Sequence, residues 1–272
     1  MVLDGQSSQS IARAAQALQG GDLIGLPTET VYGMAADACN ANAVAKIFDI
    51  KGRPSDHPLI VHVTDKESAK RFASDIPDFA KRLIDAFWPG PLTLILPRKA
   101  DVATAAAGGQ SSVGIRCPSH TVAREILQAA QALGVWGVAA PSANKFGRVS
   151  PTTAEHVQAE FGEALLIVDG GACNVGIESA IVDCTNASLV TFTPCPTRAA
   201  RNPVNNSVAF TCFIESVNIG RAPAINEILI QRCRPNRATP MGAMKAPIAT
   251  PIPAAVTAVA KPAKPSSGKS GS

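Results

Sequence analysis

Between Ser8 and Phe192 the chain alternates strand-sized apolar runs with amphipathic helical segments, and this alternation confines it to an α/β fold built on a sheet. Ser8 to Gln19 places Ile11, Ala14, Ala15 and Leu18 on one helical face, and Gly20-Gly21 stops it. Helices are predicted over Asn42–Lys51, Lys66–Ala73, Pro77–Phe87, Ser119–Leu133 and Thr152–Phe161. Between them run Leu23–Leu26, Leu59–Val63, Leu92–Leu96, Val113–Cys117, Val135–Ala140, Ala164–Val168, Ser179–Asp183 and Leu189–Phe192, which read as strands. Polar loops mostly follow strands, where open α/β sheets place their ligand sites.

Composition narrows the functional classes. Aromatics are only 4% of the residues, little surface for stacking a nucleic acid. The net charge of +4 is unevenly distributed: from Pro194 onward there are ten Lys/Arg against two Asp/Glu, so the preceding body is net acidic. The basic balance is therefore no argument that the folded body binds nucleic acid. Seven cysteines, an odd count without a C-x-x-C pair, argue against a zinc site and a disulfide framework and favour a reduced, cytoplasmic setting. No run suits a signal peptide or a membrane span, so no membrane contact is expected.

The chemistry concentrates in the loops. Lys51-Gly52-Arg53-Pro54-Ser55-Asp56-His57-Pro58 is basic and stiffened by two prolines, each of which keeps the residue before it extended. Arg116 falls inside an apolar strand pattern, where an unpaired charge is costly, so it either meets a structural carboxylate or awaits an anionic ligand. Thr30, Ser142 and Asn144 add hydroxyl and amide groups; with the cations they suit a substrate carrying phosphate and carboxylate. There is no G-x-x-x-x-G-K-[ST] loop, no strand-linked G-x-G-x-x-G, no G-x-S-x-G elbow and no H-E-x-x-H. His120 and His156 fall at helix starts and are expected at the surface.

Taken in order, Leu26-Pro27-Thr28-Glu29-Thr30-Val31-Tyr32-Gly33, Lys51-Gly52-Arg53-Pro54, Trp88-Pro89-Gly90-Pro91-Leu92-Thr93, Pro141-Ser142-Ala143-Asn144 and Gly176-Ile177-Glu178-Ser179 resemble the threonylcarbamoyl-AMP synthases, the YrdC-like domain. The resemblance spans about Ser8 to Phe192. It implies an open, twisted, mixed α/β sheet with helices on its faces and a cationic cavity. It also implies the joining of L-threonine, bicarbonate and ATP, with Mg²⁺, into threonylcarbamoyl-adenylate and pyrophosphate. A tRNA-modifying threonylcarbamoyl transferase complex would be the partner that uses the product. By motif position, Lys51, Arg53, Ser142 and Asn144 match the catalytic group. Arg53, His57, Ser112, Ser142, Asn144 and Ser150 match ATP-side positions. Thr30, His62, Arg116, Ala140 (through its backbone) and Ser179 match threonine-side positions, with Arg116 on the amino-acid carboxylate.

The resemblance breaks after the last strand. Thr193 stands where the family carries an arginine that reaches the nucleotide, and Cys195 where it carries a glycine. The domain is accordingly expected over residues 1–193, with 194–272, where eleven of the 21 prolines lie, a disordered low-complexity tail. A reading-frame shift near residue 191 would produce such a run; an uninterrupted frame in the source DNA, with no other frame restoring the motif, would dismiss that explanation. A competing class is an RNA-binding or ribosome-associated module of the same fold, contacting RNA through the cavity rim and the basic tail.

Overall fold

The structure, a computed structural model, describes residues 1–185 and, beyond them, strands at 189–193, 210–217, 228–235 and 258–259. In chain order the elements are β1 (Val2–Asp4), α1 (Ser8–Gln19), β2 (Ile24–Leu26), β3 (Gly33–Asp37), α2 (Ala41–Lys51), β4 (Ile60–His62) and α3 (Lys66–Ala69). There follow α4 (Asp78–Phe87), β5 (Leu92–Pro97), β6 (Ser112–Arg116), α5 (Thr121–Ala132), β7 (Val138–Ala139), α6 (Ala154–Phe161), β8 (Leu166–Asp169), β9 (Ala180–Asp183) and β10 (Leu189–Thr193). Next come β11 (Phe210–Val217) and β12 (Ile228–Pro235), paired antiparallel as a separate two-stranded sheet, and β13 (Ala258–Val259). Most of the segment expected to be a disordered tail lies outside the described residues.

One sheet runs β1-β8-β2-β3-β7-β4-β6-β5-β9-β10-β13. It is mixed: β1 and β2 pair parallel with β8, β4 with β6 and β5 with β9, while β3 pairs antiparallel with β2 and β7. The helices lie in two layers. On one face α2 and α4 bury Val44, Ile47, Leu83 and Ile84 with Val61, Ile115, Leu94 and Val182. On the other, α1 and α5 bury Ile11, Leu18, Ile126 and Ala130 with Ile24, Leu26, Ala35 and Val138.

This second layer stops short of part of the sheet. Along β4, β6, β5 and β9, Val61, Ile115, Leu94 and Val182 are fully covered, whereas the alternating residues Ile60, Gly114, Ile95 and Ile181 are only half-buried. Because successive side chains point to opposite faces, one side of these strands is core and the other is open. The row His62–Arg116–Thr93–Ile181, set by the strand registers, lies on that second side, where the surrounding loops bury His62, Arg116 and Thr93.

Local signals explain the ends of α2. Asn40 caps its start, its side-chain oxygen accepting from the Ala43 N–H at 3.1 Å. Gly52 ends it in the left-handed region (φ 62°), a conformation glycine adopts without steric cost. Lys51 is thus the last residue of the helix rather than a member of an open loop, and it is only 3% exposed. His120 also departs from its expected surface position: Nε2 lies 3.2 Å from the Gly170 carbonyl and Nδ1 is buried. Among the described residues no helix is long and apolar enough to cross a membrane.

Candidate active site

The site grows from the Pro27–Tyr32 loop between β2 and β3. Thr28 Oγ folds the loop on itself, donating to the Val31 carbonyl at 2.6 Å and accepting from the N–H groups of Thr30 and Val31. Thr30, wholly buried, is held 2.9 Å from the Thr28 hydroxyl. Arg116 arrives from the end of β6 and donates through Nη1 to Thr30 Oγ at 2.8 Å and through Nη2 to Glu29 Oε1 at 2.6 Å. Its Nε reaches the Gly90 carbonyl at 3.3 Å. Gly90 suits this turn because a Cβ there would stand 2.3 Å from the Phe87 carbonyl oxygen. The other Glu29 oxygen accepts from the Ser119 N–H at 3.1 Å.

Arg116 therefore has a structural carboxylate, one of the two alternatives its strand position leaves open. Three of its five N–H donors are engaged by these contacts, so the guanidinium keeps capacity for a further acceptor. His62 is its neighbour in the parallel β4–β6 ladder, and Thr93 its neighbour in β5. Thr93 Oγ in turn lies 2.8 Å from Ser179 Oγ, which fixes the Ser179 hydroxyl beside the group. Burial first, and the Arg116 charge second, push the His62 imidazole down to about 3, so it is neutral at physiological pH. The Ala140 N–H donates to the Ile60 carbonyl at 3.0 Å, so a backbone contact from Ala140 to a ligand would be made by its carbonyl.

The second group gathers around Lys51. Its Nζ donates to the carbonyls of Ser142 and Asn144, tying α2 to the loop after β7. That loop is stitched back to the first group by Ala143 N–H to the Tyr32 carbonyl at 2.7 Å and Met34 N–H to the Pro141 carbonyl at 2.8 Å. Burial, reinforced by the nearby Arg53 charge, lowers the Lys51 ammonium from 10.5 to about 8; Glu178 and Glu160 act in the opposite direction. Arg53 is half-buried and donates to the Pro58 carbonyl at 3.2 Å. Ser150 donates to Glu178 Oε1 at 2.6 Å. Ser112 opens β6 two residues before Gly114, which faces Ile60 of β4, and His57 is exposed in the loop that precedes β4.

Three of these residues have buried polar atoms that nothing satisfies. Among the described residues, six buried side-chain nitrogen or oxygen atoms lack a hydrogen-bond partner, and Arg53 Nε, His62 Nδ1 and Asn144 Oδ1 are half of them. Buried polar atoms are ordinarily paired with protein or with ordered water, so these three have capacity for a further partner. Two hollows elsewhere, of about 470 Å³ against α3 and α4 and about 330 Å³ against α2, border none of these residues. The unpaired cation and acceptor atoms, rather than the volume of a hollow, mark the place.

Glu29 and Glu178, the carboxylates that balance the cations, are absent from the sequence-derived site, as are Thr28 and Thr93. Arg116's need for a carboxylate is legible in the sequence, but nothing local names Glu29, 87 positions away. No group of three or more His, Cys, Asp or Glu residues able to hold a metal occurs among the described residues.

The chain is 43% identical over 182 residues to the threonylcarbamoyl-AMP synthase of Pyrococcus abyssi, covering 66% of this chain and 52% of that protein. It is 44% identical over 186 residues to the enzyme of the same name in Bacillus subtilis, covering 68% and 53%. The chain thus spans about half the length of these curated relatives. The crystal structure of P. abyssi Sua5 complexed with L-threonine superposes with a TM-score of 0.64 at 39% identity, covering 68% of this chain and 55% of that one. E. coli YciO, at 20% identity and a TM-score of 0.59 over 69% of this chain and 91% of its own, shares the fold. The Sua5/YciO/YrdC family model, described as "Telomere recombination", matches residues 16–192, and the chain belongs to that family.

Proposed function

We propose that this chain joins L-threonine, bicarbonate and ATP into L-threonylcarbamoyl-adenylate and pyrophosphate, for transfer onto tRNA by a separate threonylcarbamoyl transferase complex. The observation that carries the reading is that Arg116, with two N–H donors to spare, is bonded to Thr30 and flanked by His62 and Thr93 in the sheet, while Lys51 ties α2 to the loop of Ser142 and Asn144. The reading is supported by the relatives' name, threonylcarbamoyl-AMP synthase, and by the L-threonine complex of P. abyssi Sua5.

Residue chemistry divides the work. The two remaining N–H donors of Arg116 and the hydroxyls of Thr30 and Ser179 hold the amino acid, with Arg116 on its carboxylate. On the nucleotide side, Lys51 and Arg53 face the phosphates, and Ser112, Ser142, Asn144, Ser150 and His57 provide polar contacts. The threonine amine bonds to the bicarbonate carbon with loss of water, giving N-carboxythreonine; an oxygen of that carbamate attacks the α-phosphorus, the bond from this phosphorus to the oxygen bridging to the β-phosphate breaks, and pyrophosphate leaves with the electron pair. Lys51 and Arg53 stabilise the negative charge that moves onto the phosphate oxygens. The donor set suits a Mg²⁺ ion held mainly by nucleotide oxygens with one carboxylate, Glu178, rather than an all-protein cage. When bound, it would neutralise charge on the departing pyrophosphate.

The deciding experiment measures pyrophosphate release by the purified chain with all three substrates, then with each omitted. Release should require all three together; turnover indifferent to threonine overturns the reading. The acidic balance of the residues before Pro194 gives no support to an RNA-binding module of the same fold.

A further inference from the structure

Phe146 is a large apolar side chain left 48% exposed in the loop that follows Asn144. The loop is not slack. Asn144 Nδ2 donates to the carbonyls of Lys145 and Arg148, Glu160 accepts from the Lys145 N–H at 2.9 Å, and Arg148 pairs with the second Glu160 oxygen at 3.0 Å. The Phe146 N–H itself donates to the Lys51 carbonyl at 2.8 Å, which locks the aromatic to the end of α2. A stiff loop thus presents an apolar ring to water instead of folding it inward.

The ring has chosen company. The His57 imidazole meets it in an edge-on arrangement, with centroids 5.7 Å apart and planes at 60°. The Arg53 guanidinium carbon lies 6.0 Å from its centroid. Arg53 therefore lies at the outer reach of a cation–ring contact, and its buried Nε has no hydrogen-bond partner. A flat apolar surface one side chain away from a phosphate-facing cation has the form of a nucleoside phosphate site.

We infer that Phe146, flanked by His57, is the stacking platform for the purine base of the nucleotide, and that it contributes base affinity independent of the phosphate contacts. This rests on the proposed use of ATP. Stacking on an aromatic side chain is sequence-tolerant and contributes roughly 1–3 kcal/mol per base, or roughly 5- to 150-fold in affinity.

The test compares wild type, Phe146→Ala and Phe146→Trp by calorimetry with ATP and with inorganic tripolyphosphate, which has no base. Phe146→Ala should weaken ATP about tenfold or more and leave tripolyphosphate unchanged, whereas Phe146→Trp should hold ATP as well as wild type does. The fluorescence of 2-aminopurine riboside triphosphate should be quenched by wild type and not by Phe146→Ala. Equal ATP affinity in wild type and Phe146→Ala overturns the inference, as does an equal loss for ATP and tripolyphosphate. Wild type that binds no ATP overturns both this inference and the proposed function. ATP binding that depends on Phe146, without threonine-dependent pyrophosphate release, removes the proposed reaction and leaves the base platform standing.

Discussion

Arg116 and Glu29 form a buried ion pair at 2.6 Å, with side chains 4% and 7% exposed, and it joins the end of β6 to the loop between β2 and β3. Taking both charges out of water is expensive, and the pair tolerates it because each partner has other bonds: Arg116 to Thr30 and Gly90, Glu29 to Ser119. Removing one partner leaves the other charge buried alone. Glu29→Ala should therefore lower stability by about 3–5 kcal/mol in urea denaturation. The double variant Glu29→Ala with Arg116→Met should recover a large part of that loss. A double variant no more stable than the single one would show that the pair's cost lies elsewhere.

Lys51 and Arg53 should separate in their effects on stability. Arg53 makes one protein hydrogen bond, to the Pro58 carbonyl, and a long contact over the half-exposed Phe146 ring, so Arg53→Ala should abolish adenylate formation with a stability change within about 0.5 kcal/mol. Lys51→Ala should also abolish it, but it strips the buried carbonyls of Ser142 and Asn144 of their donor and should cost a further 1–3 kcal/mol or so. Activity assays paired with thermal melts of the two variants check this. An Arg53→Ala protein as unstable as Lys51→Ala would assign Arg53 to the scaffold.

Nucleotide affinity should depend on pH through Lys51. Its ammonium titrates at about 8 in the free protein, so the charge facing the phosphates is present below that pH and lost as pH rises through it. The ATP dissociation constant should therefore increase above pH 8, and kcat/KM should fall with the same apparent pKa. Lys51→Arg, whose side chain stays charged, should flatten the alkaline limb even if overall affinity drops. A limb unchanged in Lys51→Arg would assign the titration to another group.

His62 should make the protein sensitive to acid. Its pKa is about 3 in the folded state against 6.5 for the free side chain, so below 6.5 the unfolded chain takes up a proton that the folded one refuses. The stability associated with neutral His62 is complete above pH 6.5 and should decline by a few kcal/mol as pH falls towards 3. Denaturation at a series of pH values, with His62→Gln as the reference, isolates this slope from that of the carboxylates. Parallel pH profiles for the two proteins would refute the assignment.

Element order was legible because periodicity is local, and what was missed depends on tertiary context. Gly33–Asp37 is a strand of Gly, Met, Ala, Ala and Asp, residues with little β preference. It forms because β2 and β7 flank it and both of its faces are covered. The strand expected over Val135–Ala140 shortens to Val138–Ala139, since only those residues find ladder partners. In the site, the cations and hydroxyls could be named from their loops. The carboxylates could not, because Glu29 meets Arg116 only through the sheet's crossovers, and no periodicity encodes that pairing. Thr193 pairs with Ile181 across β9 and β10.

Glycine-rich phosphate loops grip anions with backbone amides at the positive start of a helix. Here the lysine stands at the opposite pole, on the closing residue of α2, where the helix dipole favours a cation. An anion bound there would answer to side-chain charge alone. Its hold would follow the protonation of one buried ammonium, so acidity would govern it more than dissolved salt, which screens a buried charge weakly.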